Sequence, residues 1–129
     1  MNGLHCLLPA TILVFCAIAA ADSPPDALVI DPDVHHLLVE NEHVRVFEAR
    51  ATHGATSPMH SHPPFVFISL GTARAKLTLP EGKVVIFDMY PGQVLWMPDG
   101  MQHSWELISG DLRVVAVEVK SAQAAKAAD

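Results

Sequence analysis

Cysteine is all but missing from this chain: its two cysteines, Cys6 and Cys16, both fall within an N-terminal apolar stretch. The remainder can form no disulfide and offers no thiolate, so any metal it binds must be held by nitrogen and oxygen. Positive charge is sparse too. Eight Lys and Arg stand against fourteen Asp and Glu for a formal net charge of −6, and the basic residues are scattered singly from Arg45 to Lys126. That excludes nucleic acid and anionic membrane surfaces as natural partners. No stretch between residues 34 and 120 repeats its apolar positions at a helical period for long enough to argue a helix. With 50 % apolar and only 17 % charged residues in 129, the chain has material for one globular core and none of the composition of a disordered protein.

From Cys6 to Ala21 the sequence CLLPATILVFCAIAAA is apolar, ends in small residues and is followed by the polar, Pro-rich ADSPPD. A membrane span normally needs about 20 apolar residues and positive flanks, so this run is expected to be a secretory signal peptide, residues 1–21, although no Lys or Arg precedes it. The expected location is secreted or periplasmic, with no membrane attachment after cleavage behind Ala21 or Ala19. Residues 22–33 carry three prolines and four aspartates, which favours an extended leader over a helix. The tail at 121–129, SAQAAKAAD, is Ala-rich and alone has helical propensity.

Between leader and tail, short runs rich in Val, Ile, Leu and Phe alternate with Gly, Pro and Asp punctuation. Strands are expected at 36–40, 43–52, 58–62, 65–71, 73–79, 83–89, 93–97, 101–108 and 112–120, with turns at Pro80-Glu81-Gly82, Pro91-Gly92, Pro98-Asp99-Gly100 and Ser109-Gly110-Asp111. Short strands at this spacing predict an all-β sandwich or barrel over residues 34–120.

His60 and His62 are two apart, and in an extended strand such residues point to the same face. A third histidine, His103, follows a Pro/Gly turn at the start of another strand, which can face the first across a barrel. Three imidazoles would leave a divalent ion with open positions, the arrangement of a reactive site more than of a structural one. The pattern Gly54-x5-His60-x-His62 … Gly71, then Gly92-x5-Pro98-x-Gly100-x2-His103, resembles the two sequence motifs of the cupin family. The resemblance covers residues 34–120. It implies a cupin-type β-barrel or jelly-roll sandwich, one divalent metal held by His60, His62 and His103, and frequent pairing into homodimers. Fe(II) is the favoured ion, with Zn, Cu, Ni and Mn left open.

Two positions depart from the family pattern. Most metal-bearing cupins supply a carboxylate three or four residues after the second histidine, where this chain has Val66 and Phe67, and their usual second-motif Asn is here Leu107. That argues against activity resembling oxalate oxidases or decarboxylases. Counting along the strands puts Val66 and Ile68 on the face of His60 and His62, and Trp105 and Leu107 on that of His103, so the ion is expected to look into an apolar pocket. Gln102 and Tyr90 are further candidates to hydrogen-bond a ligand. His35, His36, His43 and His53 are expected on the surface, Met59, Met97 and Met101 as core filling, and Glu106 out of the pocket by parity. Three neutral imidazoles leave the ion its full charge and favour an anionic chelate, a Lewis-acid role. All-histidine cupins resembling this one include ferrous dioxygenases, and the expected function is a dioxygenase on a diketone, catechol-like or thiol substrate. The cysteine–tyrosine crosslink of the family's cysteine-oxidising branch cannot form in a barrel without cysteine. The rival expectation is a non-enzymatic module that binds a metal or small ligand outside the cytoplasm; a sugar isomerase or epimerase would need acid and base groups that an apolar lining does not offer.

Overall fold

The computed structural model describes residues 22–120, so the apolar N-terminal stretch and the Ala-rich tail lie outside the described residues. Nine strands follow one another: β1 (His35–Glu40), β2 (Val44–Ala51), β3 (Thr56–His62), β4 (Phe65–Ser69), β5 (Ala73–Thr78), β6 (Val84–Met89), β7 (Val94–Met97), β8 (Met101–Gly110) and β9 (Leu112–Val119). Each coincides with a strand expected from the sequence to within two residues at either end. They pair antiparallel into two sheets, a five-stranded one in the order β1-β2-β9-β4-β7 and a four-stranded one in the order β3-β8-β5-β6. Among the described residues no helix is long and apolar enough to cross a membrane.

Alternation explains which face of each strand is inside. On β9, Leu112, Val114, Ala116 and Glu118 are buried while their neighbours are half-buried or exposed, and on β5 the same holds for Ala73, Ala75 and Leu77. These rows meet Phe47 and Ala49 of β2, Phe65 of β4 and Trp105 and Leu107 of β8 in the core between the sheets. Three inward positions, Ala49, Ala75 and Ala116, carry only a methyl group, and there the core opens into a cavity of about 270 Å³.

The leader is not wholly extended. Ala27–Ile30 form a single helical turn, α1, started by Asp26, whose carboxylate accepts from the Leu28 amide at 3.0 Å. The Pro-Pro pair lies just upstream, where it does not interrupt the turn, and Ala27 is fully buried beneath it. Around α1 the chain runs along β3: the Ser61 amide donates to the Pro25 carbonyl at 2.9 Å, and the Ser61 hydroxyl to the Pro24 carbonyl at 2.9 Å.

The outer face of the five-stranded sheet carries an apolar stripe beside a charged cluster in which Arg50 and Arg113 pair with Glu48. Val39, Val46, Val117, Val66 and Trp96 are successive register partners across all five strands, and Val115, Ile68 and Val94 form a second row beside them. Val94 and Trp96 are 60 % and 52 % exposed.

Candidate metal centre

The local geometry of the centre begins with a bulge. Ser57 pairs with Trp105 and His60 with His103, so β3 uses three residues where β8 uses two, and Pro58-Met59 carries the extra one. Proline suits a bulge because it has no amide hydrogen to lose from the ladder. Its carbonyl, turned off the ladder, accepts from His60 Nδ1 at 2.8 Å. Downstream of the bulge His60 and His62 keep one parity and both face the interior.

His103 does not face this strand across the barrel, as the sequence had led us to expect. β8 is the hydrogen-bonded neighbour of β3, and His103 is the direct partner of His60. The turn into β8 presses on β3 at Gly100, which has a φ of +69° and where a Cβ would lie 2.2 Å from the His62 carbonyl oxygen. Only glycine allows that approach, and the approach sets where His103 enters. The ring centroids of His60 lie 4.9 Å from His62 and 4.6 Å from His103, and one ligand nitrogen from each of the three lies within 4.8 Å of the others.

The hydrogen bonds leave these nitrogens bare. A carbonyl can only accept, so the His60 proton is on Nδ1 and Nε2 keeps its lone pair; that Nε2 is buried with no partner. Likewise His62 Nδ1 donates to Glu118 Oε1 at 3.1 Å, which leaves its Nε2 free. Both ring nitrogens of His103 are buried without a partner. Buried polar atoms without partners cost free energy, and a metal ion is the group that would satisfy three converging imidazole lone pairs. The residues therefore fit a divalent ion.

Electrostatics point the same way. Burial, then the neighbouring His60 and His35, push His62 down to about 3. Burial, then His60, His62 and His35, push His103 down to about 2. His60 and His35 are lowered as well, mainly by burial. All are neutral at physiological pH, the state in which imidazole binds metals.

A carboxylate is present after all, one layer out. Glu118 on β9 is 1 % exposed, binds His62 through one oxygen and takes Arg45 Nε at 2.6 Å on the other. Arg45 in turn reaches Asp26 beside α1 at 2.5 Å. Burial pushes the Glu118 carboxyl up and the Arg45 guanidinium opposes it. A carboxylate on the far nitrogen of a ligating histidine fixes its tautomer and raises its basicity. The sequence carried a signal for this residue: Glu118 continues the buried row of Leu112, Val114 and Ala116, where a charge needs a partner.

Of the residues expected to line the pocket, Trp105 does so, and the others do not. Phe65 and Phe67 take the places predicted for Val66 and Ile68, which point outward into the apolar rows of the sheet. The parity count failed because Pro63-Pro64 turns the chain from one sheet into the other between β3 and β4. Leu107 shares its face with His103 but is buried in the core beyond Trp105. Gln102 points out of the barrel into a separate polar cleft with Ser61, Glu81 and Asp99. Tyr90 and Glu106 are exposed, while Met97 and Met101 line the cavity. His36, His43 and His53 are exposed as expected, but His35 is 5 % exposed and lines the cavity, its ring centroid 5.3 Å from that of His60.

No protein-family model and no curated protein sequence matches this chain. Solved structures do. A cupin domain from Bordetella pertussis Tohama I superposes with a TM-score of 0.60 at 23 % identity, over 78 % of this chain and 99 % of that one. An RmlC-like cupin family protein with a double-stranded β-helix fold from Methanocaldococcus jannaschii gives a TM-score of 0.55 at 19 % identity, covering 72 % and 84 %. A conserved protein with a double-stranded β-helix domain from Klebsiella pneumoniae gives 0.55 at 17 %, covering 67 % and 76 %. The chain has the cupin fold, and a cluster of three histidines in it that could hold a metal.

Proposed function

We propose that this protein is a metal-dependent dioxygenase of the cupin fold, acting on a small chelating substrate such as a diketone, a catechol or a thiol. The observation that carries the reading is the convergence of three neutral imidazoles, with bare nitrogens, on a cavity whose other walls are almost wholly apolar. His60, His62 and His103 would hold the ion, with Fe(II) favoured. A bound divalent ion supplies Lewis acidity toward an anionic chelate and, when ferrous, electrons for oxygen.

The chain's own residues do the rest. Phe65, Phe67, Phe87 and Met97 offer contact to an apolar ligand body and keep water out. Glu118 holds the His62 ring in its orientation, and Pro58 holds that of His60. The cavity volume of about 270 Å³ limits the substrate to a small molecule.

A second reading is favoured by what the lining lacks. Among the described residues, and apart from imidazoles, no side chain on the cavity wall can take or give a proton at neutral pH, and a binding module without turnover needs none. The two readings separate on anaerobically prepared, Fe(II)-loaded protein offered a panel of diketones, catechols and thiols. Oxygen consumption with any of them supports the enzyme. Tight binding without consumption across the panel overturns it in favour of the module.

Two further proposals rest on the notable apolar segments. Residues 1–21 direct export, which the N-terminal residue of the mature protein tests. The valine-rich outer face of the five-stranded sheet pairs two copies of the chain about a two-fold axis, burying Trp96 and Val117; Val117→Lys is expected to give monomers by sedimentation.

A further inference from the structure

His35 is the one cavity imidazole that the metal reading leaves without a task. It is buried at the start of β1, away from both histidine motifs, and it stands outside the cluster of converging nitrogens. Its ring meets His60, His62 and Phe47 edge-on, with centroids 5.3, 6.3 and 5.4 Å away. The Asp31 carbonyl just after α1 receives both the His35 amide at 3.0 Å and its Nδ1 at 3.1 Å.

A carbonyl accepts only, so this contact places the proton on Nδ1 and leaves a lone pair on Nε2. Among the described residues no protein group hydrogen-bonds that Nε2. The rest of the wall offers no rival. Trp105 is a donor only, the thioethers of Met89, Met97 and Met101 are weak acceptors, and the remaining lining side chains outside the three clustered histidines are hydrocarbon. A strong acceptor fixed in an otherwise apolar wall discriminates between ligands, because a ligand without a matching donor leaves it unpaired.

We propose that His35 is the specificity residue of this cavity, and that the ligand is a small chelating anion carrying an N–H or O–H donor beside its metal-binding oxygen. The inference rests on the metal-centred reading above, whose failure is separately visible in the test.

Co(II)-loaded full-length protein is titrated with acetohydroxamate and with N-methylacetohydroxamate, followed in the visible spectrum of the ion. The two chelate through the same pair of oxygens and differ in an N–H replaced by N–CH3, a change in bulk that His35→Phe, of similar size to histidine, leaves in place. Wild type is expected to prefer acetohydroxamate by about tenfold, the worth of one good buried hydrogen bond. His35→Phe abolishes the preference while cobalt affinity stays within about twofold, and His35→Gln, which retains an acceptor oxygen, restores most of it. Equal affinities in wild type, or an undiminished preference in His35→Phe, overturn the proposal. A His35→Phe variant that melts as wild type does but loses cobalt makes His35 a ligand and overturns it as well. Wild type that takes up no cobalt refutes the metal reading, and the role of His35 falls with it. Should His35→Phe fail to fold, the wild-type preference and the His35→Gln variant decide.

Discussion

Replacing Glu118 by Gln separates a carboxylate that tunes a metal ligand from one that merely ends a salt bridge. The side chain is 1 % exposed and its two oxygens serve two partners, His62 Nδ1 at 3.1 Å and Arg45 Nε at 2.6 Å. The amide preserves shape, and its oxygen can still accept one of these hydrogen bonds, but the negative charge is gone. Changes of this kind behind a metal-bound histidine lower affinity about 10- to 100-fold, or roughly 1.4 to 2.7 kcal/mol. Stability of the metal-free protein should fall by less than the 3–5 kcal/mol of a broken buried pair, about 1–2 kcal/mol, because Arg45 keeps Asp26 as a partner at 2.5 Å. Competition titration with a chromophoric zinc chelator gives the first number and urea unfolding of the metal-free protein the second. Unchanged zinc affinity in Glu118→Gln, at an unchanged fold, would refute the reasoning, since the His62–Glu118 contact would then carry no metal-directed energy.

Other expectations follow from the same centre. Because His62 and His103 are held near 3 and 2 against an ordinary 6.5, the unfolded chain binds protons that the native one does not; their contribution to stability is complete above about pH 6.5 and is lost as pH falls toward those lowered values. Each costs about 1.4 kcal/mol per pH unit, so metal-free protein should be roughly 3 kcal/mol less stable at pH 5.5 than at 7.5 in urea unfolding; equal stability at the two would contradict a neutral buried cluster. Gly100→Ala puts a methyl group 2.2 Å from the His62 carbonyl at a φ of +69° and should lose at least about 2 kcal/mol of stability together with metal affinity. Ala116→Leu fills the cavity behind the histidines and is expected to keep metal while abolishing chelate binding, read in the cobalt spectrum.

The strands were legible because their physics is local. Apolar alternation with a period of two, closed by Pro-Gly and Asp-Gly turns, does not depend on what the strand will pack against, and all nine expected strands form. The turn at Ala27–Ile30 escaped because proline content argues against a helix interior, whereas Pro24 and Pro25 precede the Asp26 cap and Pro32 follows the turn. Parity was legible only within a strand. His60 and His62 share a face, but carrying the count through Pro63-Pro64 to Val66 and Ile68 crossed a change of sheet, and Phe65 and Phe67 line the cavity in their stead.

What sequence spacing could not supply is whatever arrives from a distant strand. His35 and Glu118 stand 25 and 56 residues from the histidines they adjoin, His60 and His62, and no local period connects them. The carboxylate that seemed to be missing after the second histidine illustrates the point. Directly on an ion it would cancel part of the charge; held by Arg45 behind His62, it orients that imidazole and would leave an ion held there facing neutral imidazole and hydrocarbon. An ion so placed has its unneutralised charge directed at the cavity, where the strongest interaction open to it is with an anion that displaces water. On the proposed function such an ion would select for a chelating anion with an apolar body, and His35, the one remaining acceptor, would decide among such anions.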